Sequence, residues 1–475
     1  MKYSPKVIQL NNMVLGVLGC VLLVGLHPAA AAAVRPNIIV IVADDLGYAD
    51  VGFNGCREIS TPNIDSLARQ GVRCSNGYVS HPFCSPTRAA LLTGRYQQRF
   101  GHENNPVLDV NDTTIGLPTN QVTVAQLLQS AGYQTIAVGK WHLGGAPRFH
   151  PNARGFTDFF GFLAGDHVYF SAKLIPQNPN TLMRNHEPVA EPEYLTDAFS
   201  REAANYIQKY KAQPFFLYLA YNAVHKPLQA SQKYLDRFSG IADERRRNYA
   251  AMTSAMDDGI GRVLQAVEVN HLERNTVIFF VSDNGGCRYE ISPAHNDPLR
   301  GYKGDLFEGG IRVPFVMRWL GHLPEGRVYG EPVCAIDIFP TAAALAGAEL
   351  PAHLKLDGVN LVPYLLGELP GPPHPRLYWR TGGGITWAVR EGRYKLVQNQ
   401  PGPPELYDLS VDISETKNIA KENGEVVRRL LQAHADWNAE LISPLWAQAG
   451  AVPENQGSPQ SHPVGPAPAG SRIED

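Results

Sequence analysis

The chain of 475 residues has little cysteine, little net charge and no apolar run long enough to cross a bilayer comfortably. Six cysteines are too few for a disulfide scaffold of this length. A formal net charge of −3 argues against a general nucleic-acid binder, which carries a basic face. With 44% hydrophobic and 18% charged residues, the composition is that of a globular protein and not of a disordered one.

The N-terminus combines positive charge, an apolar run and small residues. Lys2 and Lys6 precede the uncharged, largely apolar residues 13–26, and alanines follow at 29–33. This order is typical of a signal peptide cleaved near Ala33. A membrane anchor is the alternative, but the run is shorter than the ~20 residues of a spanning helix. We therefore expect a protein exported to a periplasmic, extracellular or lysosome-like compartment, with no membrane span once residues 1–33 are removed.

Strand and helix patterns alternate over most of the chain. Apolar runs at 37–43, 133–138, 214–221 and 276–281 are typical of strands in a parallel sheet that is covered on both faces. Apolar residues at helical spacing over 248–267 come directly before the last of these strands. This order predicts an α/β domain with helices on both faces of the sheet.

The pattern changes after residue 369. Residues 370–375 are rich in proline and predict a linker, and residues 425–441 predict a closing helix. Between them, short segments with turn signals predict an antiparallel meander over residues 376–380, 385–390 and 393–397. We divide the chain into a large domain at 34–370, a smaller α+β subdomain at 371–446 and a tail at 447–475 that we expect to be disordered.

Acidic residues follow two of the predicted strands. Asp44 and Asp45 come directly after strand 37–43, and Asp283 and Asn284 follow the strand that ends at Val281. Ligands of open α/β sheets bind outside the carboxyl ends of the strands. Three carboxylates and an amide oxygen suit Ca²⁺ or Mg²⁺ better than zinc. A solvated turn at the first cluster and an Asn-Gly hairpin turn at the second are the alternatives.

Cys84 begins a motif, Cys84-Ser85-Pro86-Thr87-Arg88, that precedes an apolar run ended by Gly94. We predict a short helix with Cys84 just before its N-terminus. Free amides and the helix dipole there favour an anion, so the cysteine would have a lowered pKa and could act as a nucleophile. A buried structural cysteine is the alternative.

Cations and histidines follow further strands. Lys140 and His142 come after strand 133–138, His225 comes after strand 214–221, and Lys303 precedes Glu308-Gly309-Gly310. Taken singly, a surface lysine or a core histidine more often has a structural role than a functional one. Together they predict a site for a metal and a polyanionic tetrahedral group.

In this order the motifs resemble those of the type I sulfatases, of the arylsulfatase class in the alkaline phosphatase superfamily. The segment at 84–94 matches the C-x-P-[STA]-R signature in its longer form, CSPTRAALLTG, and residues 139–144 match the second signature, GKWHLG. The resemblance is strong over 35–366 and looser beyond. It implies a large, mixed, mostly parallel sheet sandwiched by helices, a smaller C-terminal antiparallel sheet with a helix, and a sulfuric ester hydrolase whose catalytic domain is 34–370.

The resemblance also implies a modified residue and a metal. A separate maturation enzyme that recognises Pro86 and Arg88 would oxidise Cys84 to Cα-formylglycine. One hydroxyl of the hydrated aldehyde would attack sulfur, and the other would later expel sulfate, which splits one hard step into two easier ones. One Ca²⁺ per chain would be held by Asp44, Asp45, position 84, Asp283 and Asn284.

Catalytic roles are implied in the same way. Asp283 would accept the proton of the attacking hydroxyl. Arg88 would hold the hydrate in position. Lys140 and Lys303 would bind sulfate oxygens. His142 would take the proton of the second hydroxyl. His225, with Lys303, would protonate the departing alkoxide.

Departures from the family pattern do not fall on ligand positions. Thr87 replaces the commoner serine, and Val224 precedes His225 where proline is frequent. After loss of Cys20 with the signal peptide and modification of Cys84, four cysteines remain and allow at most two disulfides of undetermined pairing. These are Cys56, Cys74, Cys287 and Cys334.

Substrate choice is expected to lie in loops 99–120, 145–192 and 287–300. Their polar residues suit a hydroxyl-rich or anionic sugar, so we predict a sulfated polysaccharide or glycosaminoglycan fragment as substrate. The candidate rim residues are His102, Arg154, His167, His295, Asn296 and Arg300. The alternatives are an aryl sulfate-specific sulfatase, a phosphonate or phosphodiester hydrolase of the same fold, and a glycan-binding protein that has lost catalysis.

Overall fold

The computed structural model describes residues 1–4, 35–170, 178–191 and 193–447. The predicted signal peptide, beyond its first four residues, lies outside the described residues, and so does the predicted tail from residue 448 onward. In the described part of the chain, no helix is both long and apolar enough to cross a membrane.

The elements alternate as the sequence predicts. The strands are β1 (Asn37–Ala43), β2 (Val72–Cys74), β3 (Gly77–Tyr78), β4 (Gln134–Lys140), β5 (Asp158–Phe162), β6 (Met183–Arg184), β7 (Glu187–Pro188), β8 (Phe215–Ala220), β9 (Thr276–Ser282), β10 (Phe315–Arg318), β11 (Arg327–Tyr329), β12 (Val333–Cys334), β13 (Leu377–Thr381), β14 (Thr386–Glu391), β15 (Tyr394–Gln398) and β16 (Glu405–Asp408). The α-helices are α1 (Pro62–Arg69), α2 (Cys84–Thr93), α3 (Val124–Ser130), α4 (Leu195–Tyr210), α5 (Gln232–Leu235), α6 (Glu244–Val269), α7 (Glu308–Ile311), α8 (Ile338–Ala346), α9 (Val362–Leu366) and α10 (Gly424–Asn438).

A central mixed sheet has the strand order β11-β2-β10-β9-β1-β8-β4-β5-β6-β7. Its five middle strands, β9, β1, β8, β4 and β5, run parallel, while β10, β6 and β7 pair antiparallel with their neighbours. The mixed, mostly parallel sheet is therefore confirmed. The strand ends that carry the polar motifs come together along its carboxyl edge.

Strand β1 explains why the sheet is covered on both faces. All seven of its residues are buried. Ile39 and Ile41 belong to the hydrophobic cluster that includes residues of α4 and α6, whereas Ile38, Val40 and Val42 belong to the cluster that includes residues of α3 and α8. Because successive side chains of a strand point to opposite faces, a strand that is apolar throughout requires helices on both sides.

The C-terminal part forms a four-stranded antiparallel sheet, β13-β14-β15-β16, packed with α10. The smaller antiparallel sheet with a helix is confirmed, although the sequence analysis did not find β16. Tyr78 of the central part and Trp379 and Tyr407 of the smaller sheet share one hydrophobic cluster. A domain boundary near residue 370 stays a prediction.

A buried group of charges joins the smaller sheet to α7. The Lys395 ammonium lies 2.9 Å from Oε1 of Glu308 and 2.8 Å from Oε1 of Glu415, and all three side chains are buried. The Glu308 main-chain N–H also donates to Glu415 at 2.6 Å. We call Glu308, Lys395 and Glu415 the charged cluster.

Candidate active site

Two neighbouring parallel strands bring the acidic motifs together. Asp44 and Asp45 follow β1, and Asp283 follows β9, whose register pairs Ala43 with Ser282. The Asp283 N–H donates to the Ala43 carbonyl at 3.0 Å, and the Asp45 N–H lies 3.3 Å from Asp283 Oδ1. The three carboxylates are buried. Asp45 adopts a left-handed backbone conformation, which turns the chain sharply at the strand end.

Close contact between two loops supports this edge. The Gly285 N–H donates to the Gly310 carbonyl at 3.0 Å, and a Cβ atom at Gly285 would overlap the carbonyl oxygen of Gly309. The Lys303 N–H donates to the Gly286 carbonyl at 3.0 Å. The glycines of both motifs therefore let the Asp283 loop pack directly on the segment that carries Lys303.

Cys84 is the first residue of α2 and Phe83 is the N-cap, so the helix begins one residue earlier than the sequence predicts. The Cys84 Sγ atom lies 3.6 Å from Asp44 Oδ1, 3.9 Å from Asp45 Oδ1 and 3.1 Å from Lys303 Nζ. Its side chain is 1% exposed. Burial raises the pKa of the thiol to about 12, with Asp283 adding to the effect. The predicted lowered pKa is therefore wrong, because burial and the carboxylates of Asp283 and Asp44 outweigh the nearby lysines.

Two buried cations cross-link the carboxylates. Arg88 donates from Nε and Nη2 to Asp283 Oδ2, at 2.9 and 2.7 Å, and from Nη1 to the Lys140 carbonyl at 3.0 Å. The Lys140 ammonium lies 2.6 Å from Asp44 Oδ2. Burial disfavours the charge on both cations, but Asp283 raises the pKa of Arg88 and Asp44 raises that of Lys140. Both therefore stay positively charged beside Cys84.

Lys303 and the two histidines complete the site. Lys303 Nζ lies 2.6 Å from Asp45 Oδ1, and this carboxylate raises its pKa against the effect of burial. His225 Nε2 lies 3.7 Å from Asp45 Oδ2, and burial together with the nearby lysines lowers its pKa to about 4. Burial and Lys140 lower the pKa of His142 as well, so its imidazole is neutral and can accept a proton. His142 Nδ1 is buried and has no hydrogen-bond partner among the described residues.

The acidic group fits a hard divalent cation. Ligand atoms of Asp44, Asp45, Cys84 and Asp283 all lie within 4.8 Å of one another. Burial and the neighbouring Asp44 raise the pKa of Asp283, whereas Lys303 and His225 lower that of Asp45 despite its burial. Asn284 donates from Nδ2 to Asp45 Oδ1 at 2.8 Å, but its buried Oδ1 has no hydrogen-bond partner in the described structure. A cation would neutralise the carboxylates and satisfy that oxygen.

Two of the residues predicted on the rim have partners in distant parts of the chain. His102 is fully buried, with Nε2 2.6 Å from Ser85 Oγ and its ring edge-on to Trp446, so it supports α2 from within. Arg300 donates to the Tyr407 hydroxyl and to the Glu415 carbonyl, so its side chain is engaged with the C-terminal subdomain. The polar groups of both therefore contact distant parts of the chain, and a substrate contact by either residue stays a prediction.

The other candidate rim residues have local partners. Arg154 is buried and donates to the carbonyls of 117 and 121, while buried Asn296 bonds to the main chain at 48 and 286, so both hold loops together. His167 is buried with its ring against Phe162. His295 is exposed, and its main-chain N–H donates to Asp50. A substrate contact by His295 stays a prediction.

Two polar side chains near the site were not identified from the sequence. The Cys287 thiol donates to Asp45 Oδ2 at 3.1 Å, and Ser85 donates to the His142 carbonyl at 2.6 Å. Cys287 directly follows Asp283-Asn284-Gly285-Gly286, a position that could have marked it. It was considered only for a disulfide, but all five cysteines among the described residues are free.

Comparison with known proteins identifies similar families and structures. The family profile "Sulfatase" matches residues 36–348, and "N-sulphoglucosamine sulphohydrolase, C-terminal" matches residues 302–436. The chain is 35% identical to the uncharacterized sulfatase YdeN of Escherichia coli (strain K12), over 83% of this chain and 84% of that protein. It is also 35% identical to N-acetylgalactosamine-6-sulfatase of Homo sapiens, over 77% of this chain and 72% of that protein.

Among solved structures, Ps i-CgsB in complex with k-i-k-neocarrahexaose is similar to the chain, with a TM-score of 0.83 and 40% identity. The match covers 88% of this chain and 95% of that one. Both the central sheet and the smaller C-terminal sheet therefore belong to an architecture seen in solved relatives.

Proposed function

Because the chain belongs to the sulfatase family and is a sulfate ester hydrolase, we propose that it removes sulfate from a sulfated carbohydrate, using a nucleophile formed from Cys84. The observation that best supports this proposal is the position of the Cys84 thiol. It lies 3.6 Å from Asp44, a proposed metal ligand, and 3.1 Å from the Lys303 ammonium. The carbohydrate is supported by the sugar bound to Ps i-CgsB and by the similarity to N-acetylgalactosamine-6-sulfatase.

Two groups complete the proposed site. Ca²⁺ would be held by Asp44, Asp45, position 84, Asp283 and Asn284, and when bound it would polarise the sulfate and orient the nucleophile. Position 84 would be oxidised to Cα-formylglycine by a maturation enzyme, and its hydrate would supply the attacking hydroxyl. The buried, unpartnered Asn284 Oδ1 supports the metal, because an oxygen without a hydrogen bond can coordinate a cation.

In the proposed reaction, different residues of the chain accept protons and stabilise negative charge. Asp283 accepts the proton of the attacking hydroxyl, and Arg88, which already donates to Asp283, keeps that carboxylate in place. Lys140 and Lys303 bind the sulfate oxygens and stabilise the negative charge that develops on them in the transition state. In the free protein Lys140 pairs with Asp44 and Lys303 pairs with Asp45. A Ca²⁺ bound by these carboxylates would leave both lysines available to the sulfate oxygens.

The two histidines serve the two halves of the reaction. His225, with the protonated Lys303 beside it, protonates the oxygen of the departing sugar, which is a poor leaving group as an alkoxide. Because burial and the nearby lysines lower the pKa of His225 to about 4 in the free protein, its imidazole would gain this proton when the anionic sulfate binds beside it. His142 takes the proton of the second hydroxyl when sulfate leaves; burial and Lys140 lower the pKa of its imidazole, so the ring is neutral in the free protein and has a nitrogen available for that proton. Ser85 supports His142 by donating to its carbonyl oxygen.

The test is sulfate release from a panel of defined sulfated sugars by protein co-expressed with a maturation enzyme. Mass spectrometry of the peptide that contains position 84 reports the conversion of thiol to aldehyde. We expect Cys84→Ala to abolish activity and Cys56→Ala, at a half-buried thiol outside the site, to retain it. Activity on nitrophenyl phosphate esters that exceeds activity on nitrophenyl sulfate would favour the phosphonate or phosphodiester hydrolase instead. Activity on small aryl sulfates alone would favour an aryl sulfatase.

Export is the remaining part of the proposal. The charge and apolar pattern of residues 1–33 supports a cleaved signal peptide and an exported mature protein. N-terminal sequencing of the protein secreted by an expression host should find a start near residue 34. An unprocessed N-terminus in the membrane fraction would instead support an anchor.

A further inference from the structure

A cavity of about 240 Å³ leads into the candidate active site. Part of its lining is made by site residues, namely Asp45, His225, Cys287 and Lys303. The rest, which we call the outer lining, consists of Phe83, Lys226, Arg288, Ile291 and Ser292. None of these five belongs to the proposed catalytic or metal-binding set.

The outer lining brings two positive charges to the cavity without close partners. Lys226 is exposed, and its ammonium makes no hydrogen bond or ion pair within the described residues. The Arg288 side chain is 62% exposed and comes no closer than 3.9 Å to Asp305. The site cations differ, because each lies within 2.7 Å of a carboxylate oxygen. The charges of Lys226 and Arg288 are thus available to a ligand.

Ser292 provides an independent sign of a ligand. Its residue is 1% exposed, and its buried Oγ has no hydrogen-bond partner among the described residues. A buried hydroxyl without a partner is unfavourable, and a ligand oxygen in the cavity would satisfy it. Phe83 and Ile291 add apolar surface, which suits the face of a sugar ring.

We propose that the outer lining is a subsite for a second anionic group, a sulfate or a carboxylate, on the same substrate, an inference that rests on the proposed function. Lys226 and Arg288 would bind its oxygens through charge-assisted hydrogen bonds, with Ser292 donating a third. A sugar whose only charge is the scissile sulfate would leave Lys226 without a partner among the described residues and Arg288 with only its 3.9 Å contact to Asp305. The preferred substrate is therefore a multiply anionic glycan.

The test uses three matched oligosaccharides that share the scissile sulfate. One carries no other charge, one carries a second sulfate, and one carries a uronic carboxylate in its place. We expect wild-type kcat/KM to be about tenfold or more higher for a doubly charged substrate, from one or two charge-assisted hydrogen bonds at a partly exposed site. Which of the two charged sugars is preferred identifies the group as sulfate or carboxylate. Raising the salt concentration should reduce the preference.

Variants locate the preference in the outer lining. Lys226→Ala and Arg288→Ala should each lower the ratio of kcat/KM for the doubly charged to the singly charged substrate by about tenfold, and Ser292→Ala by less. Arg288→Lys should retain part of the ratio, because the charge remains. Lys421→Ala and Arg428→Ala, at exposed positions near and on α10, serve as matched controls that should keep it unchanged. Thermal melts verify folding.

Two results would overturn the inference in distinguishable ways. Sulfate release from all three sugars without preference, or a loss in the variants that is equal for all three, refutes the subsite and leaves the proposed function intact. Release from none of them by protein whose position 84 is oxidised refutes the proposed function and the subsite together.

Discussion

Replacing Lys395 by methionine tests the charged cluster most directly. The change removes the ammonium that lies 2.9 Å from Glu308 and 2.8 Å from Glu415, while the side chain keeps a similar length. Two buried carboxyl groups would then face each other without that cation. Removing one partner of a buried ion pair costs about 3–5 kcal/mol, which is a large part of a typical total stability of about 5–15 kcal/mol. We expect the free energy of unfolding to fall by that amount at pH 7.

The loss should depend on pH with a definite sign. In the wild-type protein, burial raises the pKa of Glu415 to about 7, whereas Lys395 and Arg312 outweigh burial at Glu308 and lower its pKa to about 2. Without Lys395 the pKa of Glu415 rises further above its unfolded value, and the pKa of Glu308 rises from its low starting point because the main cause of its lowering is gone. A carboxyl with a raised folded pKa destabilises the protein as pH increases, so the deficit should shrink when the pH is lowered from 7 towards 5.

Urea unfolding followed by circular dichroism at pH 7 and pH 5.5 measures both effects. Lys417→Met, at an exposed lysine, is the matched control and should change stability by less than about 0.5 kcal/mol. Because α7 packs against the Asp283 loop through the Gly285–Gly310 hydrogen bond, sulfate release should fall as well. A cost below about 1 kcal/mol for Lys395→Met, or a deficit that does not shrink at the lower pH, would refute the reasoning.

Three further predictions concern the site and its support. His225→Gln should lower kcat for a sugar sulfate by about 100-fold or more but affect nitrophenyl sulfate much less, since a phenolate leaves without a proton; equal losses on both substrates would contradict the acid role. Removing divalent cations with a chelator should abolish sulfate release, and Ca²⁺ should restore it, with Asn284→Ala requiring more Ca²⁺ in the same titration. Burial raises the pKa of Asp257, which accepts from the N–H groups that begin α1, to about 6. Wild-type stability should therefore fall relative to Asp257→Asn as pH rises from about 4 to 6, and urea unfolding that shows a constant difference would count against it.

Local patterns made the strands and the strand-end motifs predictable. The apolar run at 37–43 coincides with β1 residue for residue, because a strand covered on both faces has no polar position before its end. The polar residues that follow it are then forced to the edge of the sheet. Asp44, Asp45 and Asp283 meet there because β1 and β9 are parallel neighbours.

Long-range contacts explain what the sequence did not predict. His102 looks like a surface loop histidine, yet it is buried against Trp446, which follows it by hundreds of residues. The Cys84 pKa depends on burial and on Asp283 and Asp44, which follow other strands and are distant in the sequence. Strand β16 is four residues long and pairs only with β15, so it lacks the repeated alternation that marks a strand.

If position 84 is oxidised as proposed, the burial of Cys84 has a consequence for the order of events during biosynthesis. In the folded chain the thiol is 1% exposed, and Pro86 and Arg88 beside it are buried in the same helix. A maturation enzyme that binds this segment would have to do so while the chain is still unfolded. If position 84 is oxidised as proposed, oxidation competes in time with folding, and a chain that folds first is locked in the thiol form. The active fraction of a preparation would then report the host's supply of maturation enzyme at the moment of synthesis, and no treatment of the folded protein would raise it.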